Sequence, residues 1–122
     1  MAGIRHPVTL LVPSTSAEPM EVHVEGYGLR MVVVNRESLG MLDSSWDERG
    51  VYMLLGRAEQ PELYTAYVGK ATAQGLRSRV REHVRTEREW DRALLVASDQ
   101  GFDSAAIGWL EGRFYDVLSN AA

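Results

Sequence analysis

The residues best suited to chemistry lie between Gly50 and His83. Two tyrosines, Tyr52 and Tyr67, each stand two positions from a glycine in a short apolar run, and a cationic segment follows. Phenol, imidazole and guanidinium groups brought together can move protons and hold an anion. The order of these residues therefore indicates a site. Two ordinary strand tyrosines remain the alternative, since aromatic residues favour strands in any case.

Two short strands must carry the tyrosines. The run from Val51 to Leu55 is continuously apolar and bounded by glycines, which is typical of a strand buried on both faces. Ala66 to Gly69 predicts a second, shorter strand, and the polar segment between the two predicts a surface hairpin connection. Antiparallel pairing would bring Tyr52 and Tyr67 close together.

The cationic segment predicts an amphipathic helix that packs on the sheet. Leu76, Val80 and Val84 recur every four residues and would form its apolar stripe. Arg79 and His83 lie along one edge of that stripe, where their side chains can reach the sheet. The other arginines fall on the opposite side and are explained as a solvated charged face. They are Arg77, Arg81, Arg85 and Arg88.

In this order and spacing, the residues resemble the core of the GIY-YIG nuclease family. The matching segments are Gly50-Val51-Tyr52, Tyr67-Val68-Gly69-Lys70-Ala71 and the Leu-x-x-Arg-x-x-x-His pattern from Leu76 to His83, followed by Trp90 and Glu111. Each short motif is unspecific alone, whereas the ordered set is specific. The resemblance covers residues 49 to 118.

The resemblance implies hydrolysis of phosphodiester bonds in DNA with a divalent cation as cofactor. By the family pattern, Glu111 would hold one Mg²⁺ or Mn²⁺ near the leaving oxygen, with water completing the ion's coordination. Arg79 would pair with the phosphate, and Arg77 is the alternative in the register. Lys70 and Gly69 would also bind the substrate. Without the family pattern, a salt bridge from Glu111 to Arg79 or Lys70 is an equal alternative to metal binding.

The same resemblance assigns the proton transfer to the aromatic residues. Tyr52 would activate the attacking water, which requires that its pKa be depressed or that its proton be passed on. Lys70 would lower that pKa, and His83 would accept the proton. Tyr67 would orient the water or the phosphate.

Two features depart from the family pattern. The segment between Lys70 and Leu76 is slightly longer than the commonest spacing, and Asn120 lies only nine residues after Glu111, closer than the usual Asn. The chain ends at Ala122 without a closing element. We therefore expect a fragment whose full-length chain carries a C-terminal domain that supplies DNA affinity and target choice.

Residues 1–48 lie outside the nuclease pattern and predict a β extension, in the form of a hairpin or meander that extends or flanks the main sheet. Its strands are Val8 to Val12, Met20 to Val24 and Leu29 to Val34, with a turn at Gly26-Tyr27-Gly28. Glu37 to Ser45 allows one short helical turn. His6 and His23 lack a partner at ligand spacing, so a surface or strand role is favoured over metal binding.

Residues 49–122 predict the nuclease-like domain. Ala93 to Ala97 forms a third core strand, and Asp103 or Ser104 caps a final helix. The buried stripe of that helix is Ile107, Leu110, Phe114 and Leu118. The predicted fold class is α+β, with a β-β-α-β-α core in which helices flank a three-stranded antiparallel sheet.

Composition sets the class of protein. The chain has 122 residues, 45% of them hydrophobic, with no cysteine and no apolar run long enough to span a membrane, so we expect a cytoplasmic globular protein and no membrane partner. Net charge is −4, yet residues 70–88 carry six Lys and Arg against two Asp and Glu. We therefore expect weak, salt-sensitive DNA binding. The sequence assigns no oligomeric state.

Two other functions compete with the nuclease. One is a nucleic-acid-binding module of the same fold that has kept the phosphate-binding residues and lost cleavage. The other is a protein-interaction module in which the edge of the N-terminal hairpin pairs with a strand of a partner. The kind of DNA substrate is not readable from the sequence.

Overall fold

One antiparallel sheet of six strands joins the two predicted regions of the chain. The computed structural model describes residues 8–11, 18–24, 28–57, 64–86, 90–98 and 104–120. The strands are β1 (Val8–Leu11), β2 (Met20–Val24), β3 (Leu29–Asn35), β4 (Gly50–Arg57), β5 (Tyr64–Ala71) and β6 (Arg92–Ser98). The helices are α1 (Leu76–Thr86), α2 (Ser104–Asn120) and two 3₁₀ helices, Arg36–Met41 and Ser44–Trp46.

The strand order in the sheet is β1-β2-β3-β6-β4-β5. The α+β class and the antiparallel arrangement predicted from the sequence are confirmed. The predicted three-stranded core lies in the sheet as β6-β4-β5, but a three-stranded sheet is too small, because β3 pairs with β6 along its whole length. Strands from both sides of the predicted boundary at residue 48 therefore share one ladder of hydrogen bonds.

The predicted strands agree with the observed ones to within a few residues. β5 extends two residues beyond the prediction at each end, from Tyr64 to Ala71, and pairs with the whole of β4. The predicted turn between β2 and β3 is described only at Gly28, whose φ of 63° favours glycine. The helical turn predicted between Glu37 and Ser45 is present as the two 3₁₀ helices.

Helix α1 packs on the sheet through a stripe that differs from the predicted one. Leu76 and Val80 are fully buried, but the third buried residue is His83, whereas Val84 is 37% exposed. At 100° per residue, His83 is only about 20° from Leu76 around the helix axis, and Val84 is about 80° away. Helix geometry therefore favours burial of the imidazole, provided that it finds a hydrogen-bond partner.

The core forms on both faces of the sheet. Tyr52 and Leu54 belong to a large cluster that includes Leu76 of α1, whereas Val51 packs with Ile107 of α2. This division follows from the alternation of side chains along a strand. The first residue of the stripe predicted for α2, Ile107, is thus confirmed as buried; the other three side chains, with Asp103, lie outside the described part. In that part of the chain, no helix is long and apolar enough to cross a membrane.

Candidate active site

Tyr52 and His83 form a buried hydrogen-bonded pair. The Tyr52 hydroxyl lies 2.8 Å from His83 Nε2. Tyr52 is placed by β4 on the face covered by α1, and His83 lies on the inner stripe of that helix; their exposed fractions are 1% and 6%. Each polar group thus gives the other a hydrogen-bond partner in the buried layer between β4 and α1.

Tyr67 completes an aromatic group of three rings. Its ring centroid lies 6.3 Å from that of Tyr52 and 5.3 Å from that of His83. In the β4–β5 ladder, Tyr67 faces Leu54 and Tyr52 faces Gly69, so the two tyrosines are diagonal neighbours. Tyr67 is 45% exposed and is therefore the ring of this group that meets solvent. The predicted proximity of the two tyrosines is confirmed.

Gly69 makes room for the Tyr52 phenol. A Cβ built at Gly69 would overlap Cζ and the hydroxyl oxygen of Tyr52. Gly69 and Tyr52 are both buried. The overlapping Tyr52 atoms belong to a rigid ring and not to a flexible chain end, so they could not move aside easily. The glycine of this segment thus acts on the position of the tyrosine, in addition to the substrate contact predicted for it.

A cavity of about 410 Å³ opens beside the aromatic group. Most of the site residues predicted from the sequence line this cavity, together with the loop that connects β5 to α1. The lining residues are Tyr52, Tyr67, Gly69, Lys70, Ala71, Thr72, Ala73, Gln74, Arg79 and Glu111. His83 stands behind Tyr52 rather than on this surface.

Arg79 supplies a positive charge to the cavity wall. Its Nη1 donates to Glu82 Oε2 at 2.8 Å, one turn along α1. The Glu82 hydrogen bond, and secondarily Tyr52, raise the pKa of Arg79. Glu82 also accepts from Gln74 Nε2 at 3.0 Å, and these two donors lower the pKa of its carboxyl group. The Glu82 carboxylate is therefore already hydrogen-bonded to the Arg79 guanidinium, the group that an incoming phosphate would bind.

Arg77, the alternative to Arg79, points elsewhere. Its Nη1 donates to the carbonyl of Leu42 at 3.2 Å, and it is not among the residues that line the cavity. Of the two arginines, only Arg79 is placed to meet a ligand beside Tyr52. The remaining arginines of α1 that the structure describes, Arg81 and Arg85, are exposed as predicted, and Arg88 lies outside the described residues.

Glu111 reaches the cavity from α2 on the other side of β5. Its Oε1 lies 4.0 Å from Lys70 Nζ, and its side chain is 23% exposed. Lys70 alternates with Gly69 along β5 and so starts from the α2 face of the sheet. Of the two salt bridges considered as alternatives to metal binding by Glu111, the one to Lys70 is therefore present. Arg79 instead pairs with Glu82.

The donor set limits how a cation could be held. In the parts of the chain that the structure describes, no three His, Cys, Asp or Glu residues cluster as metal ligands. Glu111 is the carboxylate on the cavity wall, and the cavity has room for several waters. A hydrated Mg²⁺ or Mn²⁺ bound through one carboxylate fits this arrangement, because Mg²⁺ commonly keeps most of its waters.

Burial sets the protonation state of Tyr52. Loss of solvation raises the pKa of Tyr52 to about 12, with the charge of Tyr67 acting in the same direction and Arg79 acting against both. The depressed pKa that the sequence suggested for Tyr52 is therefore wrong in direction, and the group that lowers this pKa against the effect of burial is Arg79. Tyr52 is a neutral phenol near pH 7, so any role in proton transfer requires that it pass its proton on.

Sequence reasoning missed the residues that hold Arg79. Glu82 is three positions from Arg79 on a helix, a spacing at which opposite charges meet, and this signal could have been read. Gln74 lies in the β5–α1 loop and carries no such signal. Of the two isolated histidines, His23 lies 3.4 Å from Glu21 Oε2, and His6 lies outside the described residues. The side chain of Asn120 is likewise not described.

Comparison of the chain with protein-family models, with curated proteins and with solved structures gives no match. The functional interpretation therefore depends on the residues and on their arrangement around the cavity.

Proposed function

We propose that the chain is a divalent-metal-dependent endonuclease of the GIY-YIG type, which hydrolyses phosphodiester bonds in DNA. The observation that carries this proposal is the 2.8 Å hydrogen bond between Tyr52 and His83 beside a cavity that Arg79 and Glu111 also line. A phenol in contact with a base, a guanidinium and a carboxylate are the groups that a phosphodiester hydrolase needs.

The proton leaves the attacking water through the aromatic group. Tyr67, the exposed phenol, orients the water at the cavity wall. The Tyr52 hydroxyl oxygen accepts the water's proton while its own proton moves to His83 Nε2. The raised pKa of Tyr52 keeps the phenol protonated near neutral pH, so Tyr52 would act by passing a proton on to His83 and not as a phenolate base.

The phosphate binds at Arg79. Its planar guanidinium suits two non-bridging oxygens, and an incoming phosphate replaces the Glu82 carboxylate, which is half-exposed and free to turn into solvent. Lys70 adds a second positive charge to the cavity wall. Because few cations line the cavity, this chain binds DNA weakly and in a salt-dependent way.

Glu111 is the residue that would hold the cation. When bound there, a divalent cation would supply positive charge for the leaving oxygen. Lys70 is half-exposed and 4.0 Å away, so it can move aside from the carboxylate without leaving a buried charge unpaired. When no cation is bound, the same lysine neutralises Glu111.

Nicking of supercoiled plasmid at low salt tests this function. The wild type is compared with Glu111→Ala in Mg²⁺, in Mn²⁺ and with a chelator, and Asp116→Asn is the matched control on an exposed carboxylate of the same helix. We expect metal-dependent nicking by the wild type and the control but not by Glu111→Ala. DNA binding without any nicking would instead indicate the non-catalytic nucleic-acid-binding module.

A further inference from the structure

The last turn of α1 is held by two side chains from outside the helix. The carbonyls of the final four residues of a helix lack partners within it, and α1 ends at Thr86. Trp90 Nε1 donates to the carbonyl of His83 at 3.3 Å, and Arg36 Nη2 donates to the carbonyl of Val84 at 2.7 Å. Two consecutive carbonyls, one of them on His83 itself, are thus satisfied from elsewhere in the chain.

Arg36 and Trp90 also bind each other, and we refer to the pair as the Arg36–Trp90 brace. Arg36 Nη1 donates to the carbonyl of Trp90 at 3.2 Å, and its guanidinium carbon lies 4.9 Å from the centre of the indole ring. The backbone N–H of Arg36 donates to the carbonyl of Asp91 at 2.9 Å. Trp90 is buried, at 5% exposure, and belongs to the same core cluster as Tyr52, so the brace is anchored in the core.

We propose that Arg36 and Trp90 are positioning residues for His83, and that residues 1–48 contribute to the site through Arg36. The effect of these residues on catalysis rests on the proposed function, whereas their effect on the position of His83 does not. A buried imidazole can keep a 2.8 Å contact with Tyr52 only while the backbone beneath it stays in place. The brace holds that backbone at the carbonyl of His83.

The chemistry of Arg36 suits this task. Its guanidinium serves two carbonyls at once and faces an aromatic ring, which the single ammonium of lysine cannot reproduce. It also places a positive charge at the negative end of the helix dipole. Loss of either member of the brace removes the protein donor that holds a carbonyl of the last turn, and it frees the turn that carries His83 to shift.

Two conservative variants test the inference. Arg36→Lys keeps the positive charge but loses the planar fork, and Trp90→Phe keeps a ring under the guanidinium but loses the N–H donor. Arg85→Lys, at an exposed arginine in the last turn of α1, is the control for exchanging a guanidinium for an ammonium group near His83. Ile107→Val, in the separate buried cluster on the α2 face of the sheet, is the control for a general loss of stability.

The readouts are the side-chain NMR resonances of His83 and, separately, kcat and KM for plasmid nicking. We expect both brace variants to shift the His83 resonances toward those of Tyr52→Phe, and to lower kcat about tenfold or more with little change in KM, as for a small displacement of a catalytic group. The two controls leave the His83 resonances unchanged.

Unshifted His83 resonances in both brace variants, with only a lower melting temperature, would overturn the inference. If the wild-type protein does not nick DNA, the proposed function fails, but the NMR comparison still decides whether the brace positions His83.

Discussion

Gly69 lies directly opposite Tyr52 in the β4–β5 ladder, and it leaves the space that the Tyr52 phenol occupies. The tyrosine ring can therefore lie across the neighbouring strand and reach His83 on α1. A side chain of any size at Gly69 competes with the phenol for this space. The two tyrosine–glycine segments of the sequence are thus coupled through the sheet.

Gly69→Ala is expected to displace Tyr52 and weaken its hydrogen bond to His83. Overpacking of this kind costs roughly 1–3 kcal/mol in the free energy of unfolding, which urea denaturation measures. Nicking should fall in parallel. Gly112→Ala is the matched control, since a Cβ there meets nothing within 4 Å. In the middle of α2 that substitution should raise stability by up to about 1 kcal/mol.

The Tyr52 pKa predicts a loss of stability in alkaline solution. The pKa is about 12 in the folded protein against 10.0 for an ordinary tyrosine, so the folded state holds this proton more tightly than the unfolded state does. The resulting stability is fully present below pH 10 and is lost as the pH rises toward 12. Its size is about 2–3 kcal/mol.

Urea unfolding of the wild type and Tyr52→Phe at several pH values between 9 and 12 checks this prediction. The wild type should lose more stability over that interval than the variant, because the variant lacks the titrating group while all other groups are shared. Parallel curves for the two proteins would show that burial does not raise the pKa of Tyr52.

The two candidate arginines should behave differently. Arg79→Ala is expected to lower nicking by about 10²–10³-fold, since it removes the guanidinium from the cavity. Arg77→Ala should leave nicking nearly unchanged and lower stability by about 0.5–1.5 kcal/mol through loss of its bond to the Leu42 carbonyl. The reverse result would assign phosphate binding to Arg77.

Binding of Mn²⁺ should be detectable without any substrate. The ion is paramagnetic, so NMR resonances near it broaden, and the strongest broadening is expected at Glu111, Lys70 and Gly69. Glu111→Ala should abolish the effect, and Lys70→Met should make it appear at lower Mn²⁺ concentration, because the lysine no longer neutralises the carboxylate. Broadening centred on another part of the chain would contradict the assignment of Glu111.

The sequence predicts much of the local structure and the approximate place of the site. Alternating and continuous apolar runs located the strands, and the proximity of Tyr52 and Tyr67 followed from their pairing. The prediction that Val84 completes the buried stripe of α1 is wrong: His83 lies closer to Leu76 around the helix axis, and its buried imidazole has a hydrogen-bond partner in Tyr52.

Contacts between segments that are distant in the chain could not be predicted from local residue patterns. Arg36 binds carbonyls that lie 48 and 54 residues further along the chain, and no periodic pattern connects them. The direction of the Tyr52 pKa depends on how deeply β4 is covered, which is likewise a property of the whole fold. The pairing of β3 with β6 belongs to the same class of long-range facts.

Metal-dependent nicking of supercoiled plasmid, compared between the wild type and Tyr52→Phe, is the decisive experiment for the proposed mechanism. We expect nicking in Mg²⁺ or Mn²⁺ that falls at least about 10²-fold in Tyr52→Phe, because the variant cannot relay the water's proton to His83. Equal nicking by the two proteins, or no nicking by the wild type in either metal at low salt, would contradict it.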